Sequence, residues 1–364
     1  MPMVLDWSPA ANRDDFTGRV RDTLLANQAV LAFTTDHALL LLNPSSPLTV
    51  SQIEACSSLH PSPTLLAYGP EDVEKLGVPV PRIAQRLMNR GWPGPLTILL
   101  PAPDGLAFPT GANENLASRL VRDGEVAFAW PDHPLLSTIV SSLGFPVVLL
   151  QFASEKLAEA VEALGDLESL IVRDVEGHPI AKPTIIQARE SDWSVVEEGT
   201  LSETVIAHLA ARIVLFVCTG NTCRSPMAEA LTKQRLAESL GCGVDELPGR
   251  GYWIMSAGVA VYGGDPPSPG AVAAVAELGA DLSDHESRPV NAQVLADADD
   301  VIAMTQSHAA ALAIRFPRLG PPVRLLCDDE DLLDPIGGDS SVYRECAQTI
   351  RTHLERLMKE WTAP

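Results

Sequence analysis

Ile213-Val214-Leu215-Phe216-Val217-Cys218-Thr219-Gly220-Asn221-Thr222-Cys223-Arg224-Ser225-Pro226 is the stretch that decides how the second half of this chain folds. Its first five residues are apolar without alternation, as expected for a strand buried on both faces. A cysteine, five residues, an arginine and a serine follow, and Pro226 suits the first turn of a helix, where its missing N–H costs nothing. A thiol set between a strand and a helix in this way predicts an anion-binding loop. Successive backbone N–H groups and the helix N-terminus point inward and hold a tetrahedral dianion. Gly220 and Asn221 are residue types that tolerate left-handed backbone. Arg224 offers two N–H groups to two oxygens at once, which Lys cannot. The same positive field favours a thiolate at Cys218, and Ser225 is placed to donate to it. Thr219, Thr222 and Cys223 complete the candidate loop. A lone cysteine ending a strand is more often a core residue, but here the residues around it point to a nucleophile.

Outward from this loop, further strands are expected near Trp253 to Ala257, at 300 to 304 and at 323 to 326, with helices between, the alternation of a doubly wound parallel sheet. The chain closes with Cys346, Ile350, Leu354, Leu357 and Trp361 on one helical stripe, predicted to pack on that sheet. The first half has apolar runs at Ala29 to Phe33, Leu96 to Leu100, Val126 to Trp130 and Pro146 to Leu150. Helical stretches such as Glu71 to Leu76 and Glu155 to Leu164 separate them, again an alternating α/β pattern. The polar segment Ser191 to Gly199 precedes a fresh start, so residues 1–200 and 211–364 are read as two domains with a linker at 201–210.

The chain has 364 residues with 26 Lys and Arg against 47 Asp and Glu, a net charge of −21. This argues against general binding of nucleic acid or anionic membrane, which draws on clustered cations. The hydrophobic fraction of 46% fills an ordinary core. No run has the length of a membrane span, and the acidic N-terminus lacks the apolar core of a signal peptide. The expectation is a cytoplasmic protein. Six irregularly spaced cysteines give neither a disulfide framework nor zinc spacing and are read as core residues or reagents; no metal or cofactor is expected.

Residues 211–360 resemble the low-molecular-weight protein-tyrosine phosphatase family, with Cys-x5-Arg-Ser-Pro at the start and Asp334-Pro335 near the end. Ser256-Ala257-Gly258, Asp281-Leu282-Ser283-Asp284-His285 and Ser287-Arg288-Pro289 match similar segments between them. The resemblance implies a two-step transfer on a phosphorylated protein substrate. Cys218 attacks phosphorus, Asp334 protonates the leaving group, and Asp334 then activates the water that hydrolyses the cysteinyl-phosphate. Asp334 belongs to an acidic run with Asp328, Asp329, Glu330 and Asp331; its pairing with Pro335 singles it out, with Asp331 the alternative. His285 and His308 are expected to be structural.

Bacterial protein-arginine phosphatases resemble this chain in Cys-Thr-Gly-Asn-Thr-Cys-Arg-Ser, whereas tyrosine phosphatases of the family usually carry a larger aliphatic residue where Thr222 stands. Thr222 therefore favours phosphoarginine, with phosphotyrosine the second choice. Gly337-Gly338 after Asp-Pro points the same way. Ile336 departs from the aromatic residue common there, and Tyr262 is a candidate replacement wall. Cys223 is a candidate for a reversible disulfide with Cys218. Arsenate reduction would require further resolving cysteines, and residues 243–326 contain none.

Residues 15–200 resemble the YrdC-like fold of threonylcarbamoyl-AMP synthases. Arg90-Gly91-Trp92-Pro93-Gly94-Pro95-Leu96-Thr97 carries the likeness, with Ala32-Phe33-Thr34-Thr35-Asp36 and Pro131-Asp132-His133-Pro134. The site motifs depart from it. Ser58-Leu59-His60-Pro61 stands where the family has Lys-x-Arg-Pro, Gln151-Phe152-Ala153 where it has Ser-Ala-Asn, and Ala38-Leu39-Leu40 where it has Val-Tyr-Gly. With 13 basic against 26 acidic residues in 1–210, little positive field remains for a nucleotide. This half is read as a degenerate domain for sensing, partner binding or scaffolding. A tRNA-modifying enzyme fused to a phosphatase, and a non-catalytic phosphate-binding module, are the competing classes.

Overall fold

The computed structural model describes residues 3–9, 13–59, 62–104, 106–108, 115–164, 169–190, 192–328 and 330–362. The expectations that involve His60, Pro61, Ser191, Asp329 and the first two residues of the N-terminus lie outside them. The chain divides into two compact units, Met1–Leu209 and Ala210–Pro364. Within the segment read as a linker, Glu203–Ala210 is a helix.

The N-terminal unit is built on one mixed sheet. Its strands are β1 (Met3–Trp7), β2 (Ala29–Phe33), β3 (His37–Leu42), β4 (Thr64–Leu66), β5 (Leu96–Pro101), β6 (Val121–Arg122), β7 (Glu125–Ala129), β8 (Val147–Ala153), β9 (Ser169–Asp174), β10 (Thr184–Ala188) and β11 (Trp193–Glu197). The order is β1-β9-β2-β3-β8-β4-β7-β5-β10-β11, with β6 beside β7. All four strands expected in this half form, but strict alternation with helices does not hold. β2 and β3 follow one another as an antiparallel hairpin. Its turn closes through Thr34 N–H donating to His37 O at 3.0 Å and the Thr34 hydroxyl donating to Asp36 at 3.1 Å. Leu39, Leu40, Leu41 and Leu42 are all fully buried, so β3 is covered on both faces and shows no period of two to betray it.

The second unit has four strands, β12 (Arg212–Cys218), β13 (Tyr252–Gly258), β14 (Asp300–Ala303) and β15 (Val323–Leu325). They lie in the order β13-β12-β14-β15, all parallel. The side-chain alternation of β12 explains the two helical layers. Val214 and Phe216 pack with Met227, Leu231, Ile350 and Leu354 from the helices Arg224–Leu240 and Ser340–Trp361. Ile213, Leu215 and Val217 pack on the other face with Leu295 and Leu312, from Ala292–Asp297 and Gln306–Arg315. The expected C-terminal stripe is buried throughout, Cys346, Ile350, Leu354, Leu357 and Trp361. Asp339 caps that helix by accepting from Ser341 N and Val342 N. Because β12 lies inside a parallel sheet, its carboxyl end opens directly onto the following loop, where doubly wound folds place their ligand sites. Among the described residues no helix is long and apolar enough to cross a membrane.

Candidate active site

Cys218 ends β12, is nearly fully buried at 3% exposure, and is a free thiol. Two donors reach its sulfur: the Ser225 hydroxyl at 2.9 Å and the Asn221 backbone N–H at 3.3 Å. The helix that begins at Arg224 has no side-chain cap, so its first N–H groups are left to whatever occupies the loop.

The loop holds its shape through Asn221. This residue is left-handed, with φ of 56°, while Gly220, expected to share that role, is not among the residues of positive φ. The Asn221 amide is fully buried. Its Nδ2 donates to Ser225 Oγ at 3.0 Å and to Ser256 Oγ at 2.8 Å, and its Oδ1 accepts Arg288 N–H at 2.9 Å. Its backbone carbonyl meets His285 Nε2 at 2.8 Å. Ser256 in turn donates to the buried Glu229 at 2.6 Å, and Glu229 pairs with Lys233 at 2.6 Å. The end of β13 seals the far side. Val259 N–H donates to Cys218 O and Ala260 N–H to Thr219 O, both at 3.0 Å. At Gly258 a Cβ would stand 2.5 Å from Thr219 O, so only glycine permits this approach.

Arg224 is also buried. Its Nη1 donates to Leu332 O at 3.2 Å, and its Nη2 donates to Asp334 Oδ2 at 2.5 Å and to Thr219 Oγ1 at 3.5 Å. The candidate acid and the candidate phosphate-gripping arginine therefore touch across 110 residues of chain. Asp331 turns elsewhere, accepting Gln306 N–H at 2.6 Å. Cys223 donates to Ser268 Oγ at 3.2 Å and lies 3.8 Å from the Tyr343 hydroxyl. Thr222, half-buried, has its carbonyl accept Ser268 N–H at 2.9 Å. Tyr262, Leu333 and Ile336 are exposed.

The two histidines set aside as structural both touch the loop. His285 holds the Asn221 carbonyl. His308, 4% exposed, has Nε2 at 2.8 Å from Thr219 Oγ1 and Nδ1 at 2.8 Å from Thr305 Oγ1. Burial, and next the Arg224 cation, push this imidazole down to about 4. Burial likewise pushes the Cys346 thiol behind the site up to about 12. Ser256, His285 and Arg288 stand in the sequence only within the matching segments; that all three converge on Asn221 is visible only in the fold. Nothing in the spacing marks Glu229 or His308.

The model of the family described as "Low molecular weight phosphotyrosine protein phosphatase" matches residues 213–363. A protein-arginine-phosphatase of Bacillus subtilis (strain 168) is 37% identical over 152 residues, covering 40% of this chain and 95% of the relative. The chain belongs to the low-molecular-weight phosphotyrosine protein phosphatase family. The phosphatase unit is also similar to a probable low-molecular-weight protein-tyrosine-phosphatase of Ralstonia nicotianae, 30% identical over 40% of this chain and 92% of the relative. An arsenate reductase of Bacillus cereus (strain G9842) is 31% identical over 40% and 93%. Family membership makes this unit a hydrolase of the class that acts on phosphorylated proteins. Residues 43–199 match a second family, described as "Telomere recombination", which contains the YrdC-like domains.

The YrdC-like unit has its own cavity of about 910 Å³. Gln151 and Ala153, the departures from Ser-Ala-Asn, line it with Thr97. Its cationic walls are Arg122 and Lys182. Lys182 is engaged by Glu197 at 3.1 Å and by Glu198 O at 2.7 Å.

Proposed function

We propose that the phosphatase unit hydrolyses phosphoarginine in proteins through a cysteinyl-phosphate at Cys218. The observation that carries the mechanism is the convergence of two donors on Cys218 Sγ beside the joined Arg224 and Asp334. Donors aimed at sulfur fix its position at the end of β12, and an uncapped helix start favours an incoming dianion. In this reading Arg224 and the loop N–H groups from Thr219 to Ser225 hold the phosphoryl oxygens. Asp334 protonates the departing nitrogen and then takes a proton from the hydrolytic water. The loop acts as the phosphate-binding site and needs no metal.

Thr222 supports the substrate choice. A β-branched hydroxyl leaves room for a planar guanidinium and for a water beside it, whereas a longer alkyl group packs against a phenol ring. The similarity to an arginine phosphatase supports the same choice. The second reading is phosphotyrosine, favoured by the apolar Leu333 and Ile336 exposed beside Asp334. Phosphate release from phosphoarginine and phosphotyrosine peptides, assayed in parallel with Asp334→Ala as a control, separates the two. We expect phosphoarginine to be preferred and Thr222→Ile to shift the preference at least about tenfold toward phosphotyrosine, the scale of a change of one or two carbons in a pocket. Equal rates in wild type, or no shift in the variant, would reject the specificity argument.

For the YrdC-like unit we propose a non-catalytic role. The carboxylates Asp123, Glu125, Asp132 and Glu197 outnumber the two cations lining its cavity, a poor field for a triphosphate. Incubation with threonine, bicarbonate and ATP is expected to release no pyrophosphate above the rate without protein; release would restore the synthase reading.

A further inference from the structure

Thr219 Oγ1 is the meeting point of two groups from opposite sides of the unit: Arg224 Nη2 at 3.5 Å and His308 Nε2 at 2.8 Å. The ring of His308 continues the line, with Nδ1 at 2.8 Å from Thr305 Oγ1, itself 2.8 Å from Ser307 Oγ. Four side chains thus form one file leading away from Arg224. We propose that His308 is a positioning residue for the phosphatase reaction: as the neutral Nδ1–H tautomer it accepts the Thr219 hydroxyl hydrogen at Nε2, and so keeps the lone pairs of Thr219 Oγ1 turned to Arg224.

The inference rests on the phosphatase reading for its kinetic consequence and on geometry for its tautomer. The Nε2 edge of the ring faces the side from which Arg224 reaches Thr219. A cation there favours a bare nitrogen over an N–H, so the hydrogen belongs on Nδ1, where Thr305 Oγ1 accepts it. That placement reverses the tautomer preferred by a free imidazole in water. The charged groups facing the ring are Arg224, Asp334 and Asp331; burial and then the Arg224 cation push it down to about 4, against the opposing pull of the two carboxylates. A neutral ring is what the role requires, because an imidazolium would donate at both nitrogens and turn the Thr219 hydroxyl hydrogen toward Arg224. The Thr305 hydroxyl also accepts His308 N–H at 3.3 Å, capping the helix that carries the ring. The orientation of His308 is therefore fixed from its own helix and does not depend on a ligand.

Nitrogen-15 NMR of the histidine-labelled full chain reads the tautomer directly, with no demand on activity. The expected pattern at pH 7 is a pyrrole-type Nδ1 and a pyridine-type Nε2 for His308, assigned by its loss in His308→Gln. The kinetic arm is a double-mutant cycle of His308→Ala and Thr219→Val on the favoured phosphopeptide. Each single variant is expected to lower kcat/KM about tenfold, the double variant no further, and His308→Gln, whose carbonyl can accept the Thr219 hydroxyl, to remain within about threefold of wild type. A pyrrole-type Nε2, or additive losses in the cycle, would overturn the proposal. If His308→Ala does not fold, the wild-type spectrum and the Gln and Val variants still decide it. Absence of phosphatase activity in wild type would reject the function proposed above while leaving the tautomer measurement intact.

Discussion

Cys218→Ser is expected to lower phosphate release by roughly four orders of magnitude or more, while orthophosphate still binds the loop. The sulfur accepts from Ser225 and from Asn221 N–H, and a cysteine sulfur is intrinsically a far better nucleophile than a serine oxygen. A serine hydroxyl needs a base to remove its proton at the moment of attack, and the site does not offer one. His285 is committed to the Asn221 carbonyl and His308 to Thr219. In the proposed attack step Asp334 carries the proton destined for the leaving group and so cannot take one from the nucleophile. The substitution keeps the loop's backbone donors and Arg224, so anion binding and chemistry should separate. Orthophosphate titration by calorimetry alongside a stopped phosphate assay tests this. A serine variant with more than about a hundredth of wild-type turnover would deny Cys218 the nucleophile's part.

Asn221→Ala is expected to cost the phosphatase unit about 2–5 kcal/mol of stability and about a hundredfold in activity. Alanine held at positive φ costs roughly 1–2 kcal/mol. Removal of the amide also orphans the part-buried Arg288 N–H and deprives the buried Ser225 and Ser256 hydroxyls of a donor, at about 1–3 kcal/mol for a buried unsatisfied group. Asn221→Gly separates the two contributions. It relieves the backbone but not the lost hydrogen bonds, so it should recover about 1 kcal/mol of stability and little of the activity. Scanning calorimetry of the full chain with phosphate assays on the same samples tests this. Equal stability in the alanine and glycine variants would show that the left-handed conformation carries no cost, and full activity in either would remove Asn221 from the loop's support.

What could be read from the chain was local. Cys218, Arg224, Ser225 and Pro226 lie within one turn of loop and helix, so their relation survives without knowledge of the fold. Asp334 was reached through its pairing with Pro335 and a family likeness; no periodicity brings it to within 2.5 Å of Arg224. The parallel sheet of the second unit was legible because apolar strands and helical stripes alternate there. In the first unit β3 was hidden by its own burial, since five leucine and alanine side chains covered on both faces give no pattern to separate strand from helix. The misplaced conformational role of Gly220 has a similar cause. Composition says which residues can be left-handed, but the amide of Asn221 has partners waiting for it and a glycine would not. His308 and Glu229 became visible only when the helices carrying them packed against the loop.

The ion pair between Arg224 and Asp334 joins the two side chains to which the proposed mechanism gives the phosphate and the proton. In that mechanism a phosphoryl group reaching Arg224 exchanges with a carboxylate tethered to the same chain, an intramolecular competitor of high effective concentration that weak monoanions and carboxylic metabolites would face as well. A dianion that can also engage the loop N–H groups has more to offer than the tethered group. The proposed mechanism thereby carries a selectivity against carboxylates that needs no specificity pocket. On the same proposal, the exchange that turns Arg224 to phosphate is also what frees Asp334 to act as the acid.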